Sequence, residues 1–439
     1  MRSQDLGLRR PELVMPAGTL EKLKFACAYG ADAVYAGIPK FSLRARTNSF
    51  TGEQLAEGIA YAHNRGVRVY ITLNIFAHNN RVASSIDALR QIMQHKPDAV
   101  IMSDPGLIML ARQEFPELEI HLSTQSNTMN WAAVQFWKSQ GIQRVIVPRE
   151  LSIAEISEIH AQVPDIDLEV FAHGAMCVAY SGRCLLSGYL THRDANLGIC
   201  TNSCRWQYRL WGRNDSEEFP STREELSPEI HDIANGYALE EVSRSGELFP
   251  IEEDEHGTYI MNSYDLCAIE HLHELWKAGV TGFKIEGRTK SVYYLSQIGR
   301  AYRQTLDDIV ADRPFNPEVF TDIQATSNRG FIPGFLVHLP DEDRQHYDSG
   351  RSAYSTHKFG GIVRRYDAEK QLAEIEVKNQ LNTGDRLDCV SPGNFFGQAV
   401  GAMYDLEHQS ITVAHPGHTN ILLAMRQPVE QMTILRIRF

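Results

Sequence analysis

Eight short apolar runs, each followed by an amphipathic stretch, constrain the fold of this chain more than any other feature. The runs are Leu13–Met15, Ala33–Tyr35, Val67–Leu73, Ala99–Met102, Ile120–Ser123, Arg144–Val147, Leu168–Phe171 and Gly282–Ile285. Stretches with helical spacing lie between them: Thr19–Tyr29, Thr51–Asn64, Val82–His95, Pro105–Glu114, Asn127–Gln140 and Ile153–Gln162. Strands that alternate with helices predict parallel β-α units, and eight units predict an α/β fold of the TIM-like (β/α)8 type. A doubly wound sheet is the alternative, but no GxGxxG follows the first run. Helix starts carry capping residues: Thr19, Thr51, and Asp104 just before Pro105.

The regularity breaks after the seventh run. Residues 174–259 read as a long insertion, cysteine-bearing at first and then acidic and polar. The barrel pattern resumes with a strand at Ile260–Ser263, a helix at Asp265–Lys277, the eighth run, and a helix at Ser291–Ile309. Residues 1–310 therefore read as a barrel domain, 311–349 as a connector and 350–439 as a small all-β barrel. In the tail, the runs Gly360–Arg364, Ala373–Val377, Arg386–Cys389, Gln398–Met403, Ser410–Val413, Ile421–Met425 and Thr433–Ile437 are separated by turn signals such as Asn382-Thr383-Gly384-Asp385.

The insertion opens on the stretch FAHGAMCVAYSGRCLLSGYLTHRDANLGICTNSCRW. It holds four of the seven cysteines, Cys177, Cys184, Cys200 and Cys204, in the spacing C-x6-C-x15-C-x3-C. An odd total in a large chain argues against a disulfide scaffold. Structural zinc favours two tight pairs, and only Cys200 and Cys204 are close. Looser spacing favours an iron–sulfur cluster, with zinc as the alternative. Cys267, read as opening the helix after the insertion, is an alternative to Cys204. Cys27 and Cys389 read as small buried apolar residues.

In a barrel of this kind chemistry gathers where strands end. Those positions supply Arg44 and Arg46, Asn74 and His78, Ser103 and Asp104, Gln125, Arg149, His173, and then Lys284, Glu286 and Arg288. Arg44, Arg46, Gln125, Lys284 and Arg288 are the candidate substrate-binding residues, because guanidinium groups suit carboxylate or phosphate. His78, His173 and Glu286 are the candidate proton-transfer residues, and the sequence does not rank them. A surface ion pair is the competing reading for each cation. Ser181, Ser187, His173 and His192 lie close in sequence, but no HExxH, GxSxG or P-loop accompanies them, which disfavours a hydrolase. A net charge of −12 does not mark a nucleic-acid binder, so RNA would require a local basic patch. No apolar run spans a membrane and the first residues lack the apolar core of a signal peptide, so a cytoplasmic protein with no membrane partner is expected.

The motifs ELVMPAG, GADAVYAG, SLRAR, IMSDPGLIML, FAHGAMCVAYSGRCLLSGYL, CTNSCRW, YIMNS and KIEGRTKS together resemble the collagenase-like peptidase family U32 over nearly the whole chain. Despite that family's name, the resemblance implies an RNA-modifying enzyme. Its expected activity is a tRNA uridine hydroxylation giving 5-hydroxyuridine at the wobble position of the anticodon loop. The resemblance further implies a 4Fe-4S cluster on Cys177, Cys184, Cys200 and Cys204, and prephenate rather than molecular oxygen as co-substrate. Relatives imply three alternatives: a peptidase, an rRNA cytidine hydroxylase, or a hydroxylase of a ubiquinone precursor.

Overall fold

The computed structural model describes residues 9–38, 50–176, 203, 208–212, 237–241, 248–251, 264–328, 330–337, 355–417 and 419–438, with backbone alone at 208–212, 237–241 and 248–251. Seven strands come first: β1 Glu12–Ala17, β2 Ala33–Gly37, β3 Arg68–Leu73, β4 Ala99–Met102, β5 Ile120–Leu122, β6 Arg144–Ile146 and β7 Asp167–Ala175. In the insertion, β8 Tyr208–Gly212, β9 Tyr237–Glu241 and β10 Leu248–Ile251 form a small antiparallel sheet. Strand β11 Asp265–Cys267 and strand β12 Val280–Ile285 follow. Strands β1 to β7 pair in parallel in chain order, and β12 closes the ring by pairing with both β1 and β7. This is the TIM-like barrel the alternation predicts. The helices around it are α1 Leu20–Ala28, α2 Gly52–His63, α3 Asn79–Met93, α4 Pro105–Glu114, α5 Trp131–Ser139, α6 Ile153–Gln162, α7 Leu272–Lys277 and α8 Val292–Val310.

The predicted caps form. The Thr19 side chain accepts from the Lys22 N–H, Thr51 makes a reciprocal capping box with Gln54, and Asp104 accepts from Gly106 and Leu107. Other expectations need correction. Helix α5 begins at Trp131 rather than Asn127, because Asn130 caps it and Asn127 lies in the left-handed region at φ 47°. Helix α3 begins at Asn79, three residues before the expected Val82. The helix expected at Asp265–Lys277 is β11, then a 3-10 turn at Ile269–His271 that leads into α7. Here the free edge of β7 wins over local helix propensity, pairing Asp265 with Ala175 and Cys267 with His173. Strand β7 consequently runs to Ala175, so His173 and Gly174 belong to the strand rather than to the loop after it. The expected strand Ile260–Ser263 lies outside the described residues.

Beyond α8 come a short helix α9, Phe320–Gln324, and a strand β13, Phe331–Ile332, that pairs with β11. The tail contains β14 His357–Asp367, β15 Leu372–Val377, β16 Leu381–Asn382, β17 Arg386–Val390, β18 Phe395–Ala399, β19 Met403–Tyr404, β20 Ser410–Ile411, β21 Val413–Ala414, β22 Ile421–Ala424 and β23 Ile434–Arg438. Eight of these form one antiparallel sheet, β18-β17-β23-β14-β15-β22-β19-β20. The sheet rolls over its own apolar core, and Gln398 of β18 bridges to the Ala424 carbonyl and the Arg426 N–H. Among the described residues no strand ladder joins its two ends, β18 and β20, and a backbone bond from the Ala424 N–H to the Ala402 carbonyl accompanies the Gln398 bridge.

The tail docks on the barrel. The Tyr29 hydroxyl reaches the carbonyls of Val390 at 2.7 Å and Met432 at 2.9 Å. Arg436, fully buried, donates to Asp388, Gln297 and Asp322. Tyr293 stacks on Phe359.

Apolar residues such as Leu13, Met15, Val69 and Ile71 are fully buried in the barrel core, but the barrel's lumen is charged. Arg144 donates to Glu12 at 2.6 Å and to Glu169 at 3.1 Å, and Lys284 donates to Glu169 at 2.6 Å. The Tyr70 hydroxyl donates to Glu12. Burial alone would raise the Glu169 carboxyl, but Lys284 and Arg144 outweigh it and hold it at about 2. A depressed carboxyl stabilises the fold above its ordinary value of 4.5 and loses that contribution as pH falls toward 2. Glu169→Gln is expected to cost about 3–5 kcal/mol in denaturant unfolding at neutral pH, because two buried cations lose a countercharge. The variant's stability should also fall less steeply than the wild type's across that acid window.

Candidate active site at the barrel mouth

The lumen network continues upward into a mouth of cations stacked on aromatic rings. The Lys284 ammonium sits 4.3 Å from the Tyr35 ring centroid and 5.8 Å from that of Phe171. The Arg149 guanidinium lies 3.7 Å over Phe171, and its Nη2 is 3.8 Å from Glu286 Oε2. Arg288 donates to the Thr72 hydroxyl at 3.0 Å and lies 5.7 Å from the Tyr35 centroid. Tyr35 is itself anchored, its hydroxyl donating to the Ile285 carbonyl. A ring face attracts a cation by its quadrupole, so these pairs hold the positive groups in place without neutralising them.

A neutral polar shelf lies at the ends of β3, β4 and β5, starting at Asn74, two residues beyond the Thr72 that Arg288 binds. The Ser103 hydroxyl lies 3.1 Å from the Asn74 carbonyl and 3.2 Å from Gln125 Oε1. Asn74 Nδ2 and the Gln125 backbone N–H both donate to the Ser123 hydroxyl oxygen, at 3.5 and 3.4 Å. Asn74, Ser103, Ser123 and Gln125 are all buried.

The structure thus brings together Gln125, Lys284, Glu286 and Arg288 with Arg149. Lys284 is the deepest, its charge already met by Glu169. Burial pulls its ammonium below the usual range, and Glu169 opposes that. His78 is elsewhere: it is exposed, at the N-cap of α3, and makes no side-chain cap bond. Arg44, Arg46, Cys177, Cys184, Cys200 and Cys204, with Ser181, Ser187 and His192, lie outside the described residues. Tyr35, Phe171 and Glu169 were not among the expected residues. Glu169 carried a signal, as a lone acid inside an apolar run.

His173 does not face the mouth. The register of β7 against β12 shifts there: Phe171 pairs with Lys284, and His173 with the very next residue, Ile285. The extra residue forms a bulge, which turns the two side chains to opposite faces of the sheet. Phe171 meets the lumen cations, whereas His173 meets Tyr294, Tyr302 and Phe331 on the helix side. The bulge carbonyl, Ala172 O, accepts from both the Tyr302 hydroxyl and the Ala268 N–H at 2.8 Å. Gly174 follows at φ +110°, where a Cβ would lie 2.7 Å from the Glu286 carbonyl. Burial holds His173 at about 3, neutral near physiological pH, with its Nδ1 3.2 Å from the Tyr302 hydroxyl. Proton transfer at the mouth by His173 is therefore disfavoured, and Glu286 is the better placed candidate. Cys267 shares this sealed layer, 3.8 Å from the Tyr302 hydroxyl.

The geometry defines a barrel enzyme mouth suited to an anionic ligand, with rings, cations and one carboxylate converging at the strand ends. Residues 18–346 match Peptidase family U32 and residues 355–436 match the Peptidase family U32 C-terminal domain. The chain belongs to the U32 family. It is 43% identical to tRNA hydroxylation protein P of Escherichia coli, over 98% of this chain and 97% of that protein. It is 36% identical to tRNA hydroxylation protein P1 of Bacillus subtilis, over 93% and 90%. A 23S rRNA 5-hydroxycytidine synthase of Escherichia coli is 32% identical over 87% of this chain but 52% of its own length. Among the described residues no helix is long and apolar enough to cross a membrane.

Burial pushes the thiols of Cys27 and Cys389 up to about 12 and that of Cys267 up to about 11. All three are expected to resist iodoacetamide in the native protein near neutral pH and to react on denaturation. Mass spectrometry of tryptic peptides reads this directly, and rapid native labelling of Cys267 would contradict its placement.

Proposed function

We propose that this protein is a tRNA uridine hydroxylase that forms 5-hydroxyuridine at the wobble position, using prephenate and no molecular oxygen. The observation that carries the reading is the end-to-end similarity to tRNA hydroxylation protein P, which spans barrel, insertion and tail alike. The cationic, ring-lined mouth supports it, because both an RNA backbone and a dicarboxylate are anionic. A wobble base sits in an exposed loop and leaves its stack at modest cost, so it can enter a recessed site.

In this reading a 4Fe-4S cluster is held by Cys177, Cys184, Cys200 and Cys204. The first of these is next in sequence to Met176, the residue that follows β7. Cys267 is the weaker fourth ligand, since it ends β11 with its sulfur against Tyr302 in the helix layer. When bound, such a cluster supplies one-electron chemistry. The chain's own residues do the rest. Arg149 and Arg288, together with Arg44 and Arg46, hold the anionic partners. Phe171 and Tyr35 hold those cations in place from behind, and Glu286 takes or gives a proton at the mouth.

The peptidase in the family's name finds less support. Ser181, Ser187 and His192 lie outside the described residues, and of the serines at the described mouth, Ser103 and Ser123 are held by Asn74 and Gln125 rather than by the histidine a serine nucleophile needs.

Nucleoside mass spectrometry tests the proposal. Deleting the gene, in a strain also lacking paralogous and oxygen-dependent routes, should abolish 5-hydroxyuridine-derived nucleosides in tRNA. Their persistence would refute it. In anaerobically purified protein, Cys177→Ala and Cys184→Ala should each lose iron and sulfide. Full cluster content in both variants would overturn the ligand set.

A further inference from the structure

Gln125 holds a buried donor that the shelf around it does not use. The side chain is 1% exposed, and among the described residues its Nε2 has no hydrogen-bond partner. The neighbouring groups fix which way the amide points. The Ser123 oxygen already accepts from Asn74 Nδ2 and from the Gln125 backbone N–H, which fills its two lone pairs. Its own proton must therefore be donated outward, and Gln125 Oε1 is the acceptor at 3.5 Å. Ser103 approaches the same oxygen at 3.2 Å. A reversed amide would set Nε2 as a third donor against Ser123. The NH2 end is thus the free end.

A buried donor without a partner is costly, and the cost is offset when a ligand brings an acceptor. The shelf carries no charge of its own and lies at the ends of β3 to β5, starting two residues beyond the Thr72 that ring-backed Arg288 binds. That arrangement fits recognition of a neutral, planar group held by its edge. We infer that the Gln125 amide selects uracil over cytosine at the target position, by donating from Nε2 to the C4 carbonyl oxygen of the base. The inference rests on the hydroxylase reading and adds the residue that reads the base. In uracil that oxygen is an acceptor on the atom next to C5, the carbon to be hydroxylated. Cytosine has an amino group there, so donor would face donor and both would go unsatisfied. The bond would also set the base's position, bringing C5 toward the mouth while Ser103 and Ser123 keep the amide from turning.

The test uses the full-length protein and two anticodon stem-loops that differ only in U or C at the target position. Fluorescence anisotropy should show the wild type binding the U loop more tightly by roughly tenfold or more. Gln125→Met keeps the side-chain bulk and removes the donor. The U-to-C ratio should then fall toward one, through weaker binding of the U loop and unchanged binding of the C loop. Thermal unfolding checks that the variant is folded. Should it not be, Gln125→Glu serves instead: its carboxylate still accepts from the two serines but presents an acceptor, so the preference should reverse. An unchanged ratio in a folded variant would overturn the inference and leave Gln125 as a structural amide satisfied by water. A wild type that hydroxylates tRNA yet binds both loops equally would overturn it too. Failure of the underlying reading looks different: neither loop binds, or tRNA nucleosides are unchanged on deletion, and both proposals fall together.

Discussion

The carboxylate of Glu169 joins the barrel's architecture to its chemistry. It is fully buried on β7, and it ties Arg144 of β6 to Lys284 of β12 across the closing seam of the ring. Buried ion pairs seldom add net stability over well-packed apolar groups. What this one supplies is placement. Lys284 is held beneath Tyr35 and Phe171, and two and four residues further along the same segment Glu286 and Arg288 reach the mouth. The positive floor of the site thus belongs to the barrel itself, and the mouth does not depend on its loops for all of its charge.

Most of the barrel was legible in the sequence because its signal is periodic. Each of the eight apolar runs overlaps a strand, and the caps at Thr19, Thr51 and Asp104 form as their chemistry requires. Reading failed where distant contacts decide the local shape. The bulge at Ala172 exists because Tyr302 and the Ala268 N–H satisfy its carbonyl from elsewhere in the chain, and nothing in FAHGA reveals that. Strict alternation puts Phe171 and His173 on one face; the bulge separates them. The same competition turned the expected helix at Asp265 into β11. In the candidate site, charged strand-end residues were legible because their type and position both stand out. Tyr35 and Phe171 were not, since an aromatic ring in a strand reads as core until its neighbours are known.

The overall acidity of the chain is also less paradoxical than it first looks. Fourteen acidic and three basic residues fall between 213 and 259, so nearly all of the net −12 is carried by that part of the insertion. The remainder of the chain is close to neutral. A cationic mouth on a neutral body is compatible with an RNA partner, whereas one on a uniformly acidic body would be screened by its own surface.

The seam between barrel and tail carries a consequence for how the molecule comes apart. Arg436 reaches out of the tail to Asp322 and Gln297, while Tyr29 reaches the other way from α1 to two tail carbonyls. Severing the two units would take from Arg436 two of its three partners and would expose the apolar cluster in which Phe25 and Val292 pack against Ile362, Val390 and Ile434. Two sequence families meet in this chain, but thermodynamically they share one fate. The tail behaves less like a tethered module than like the last layer of the barrel's own wall, and the two should melt as a single cooperative unit.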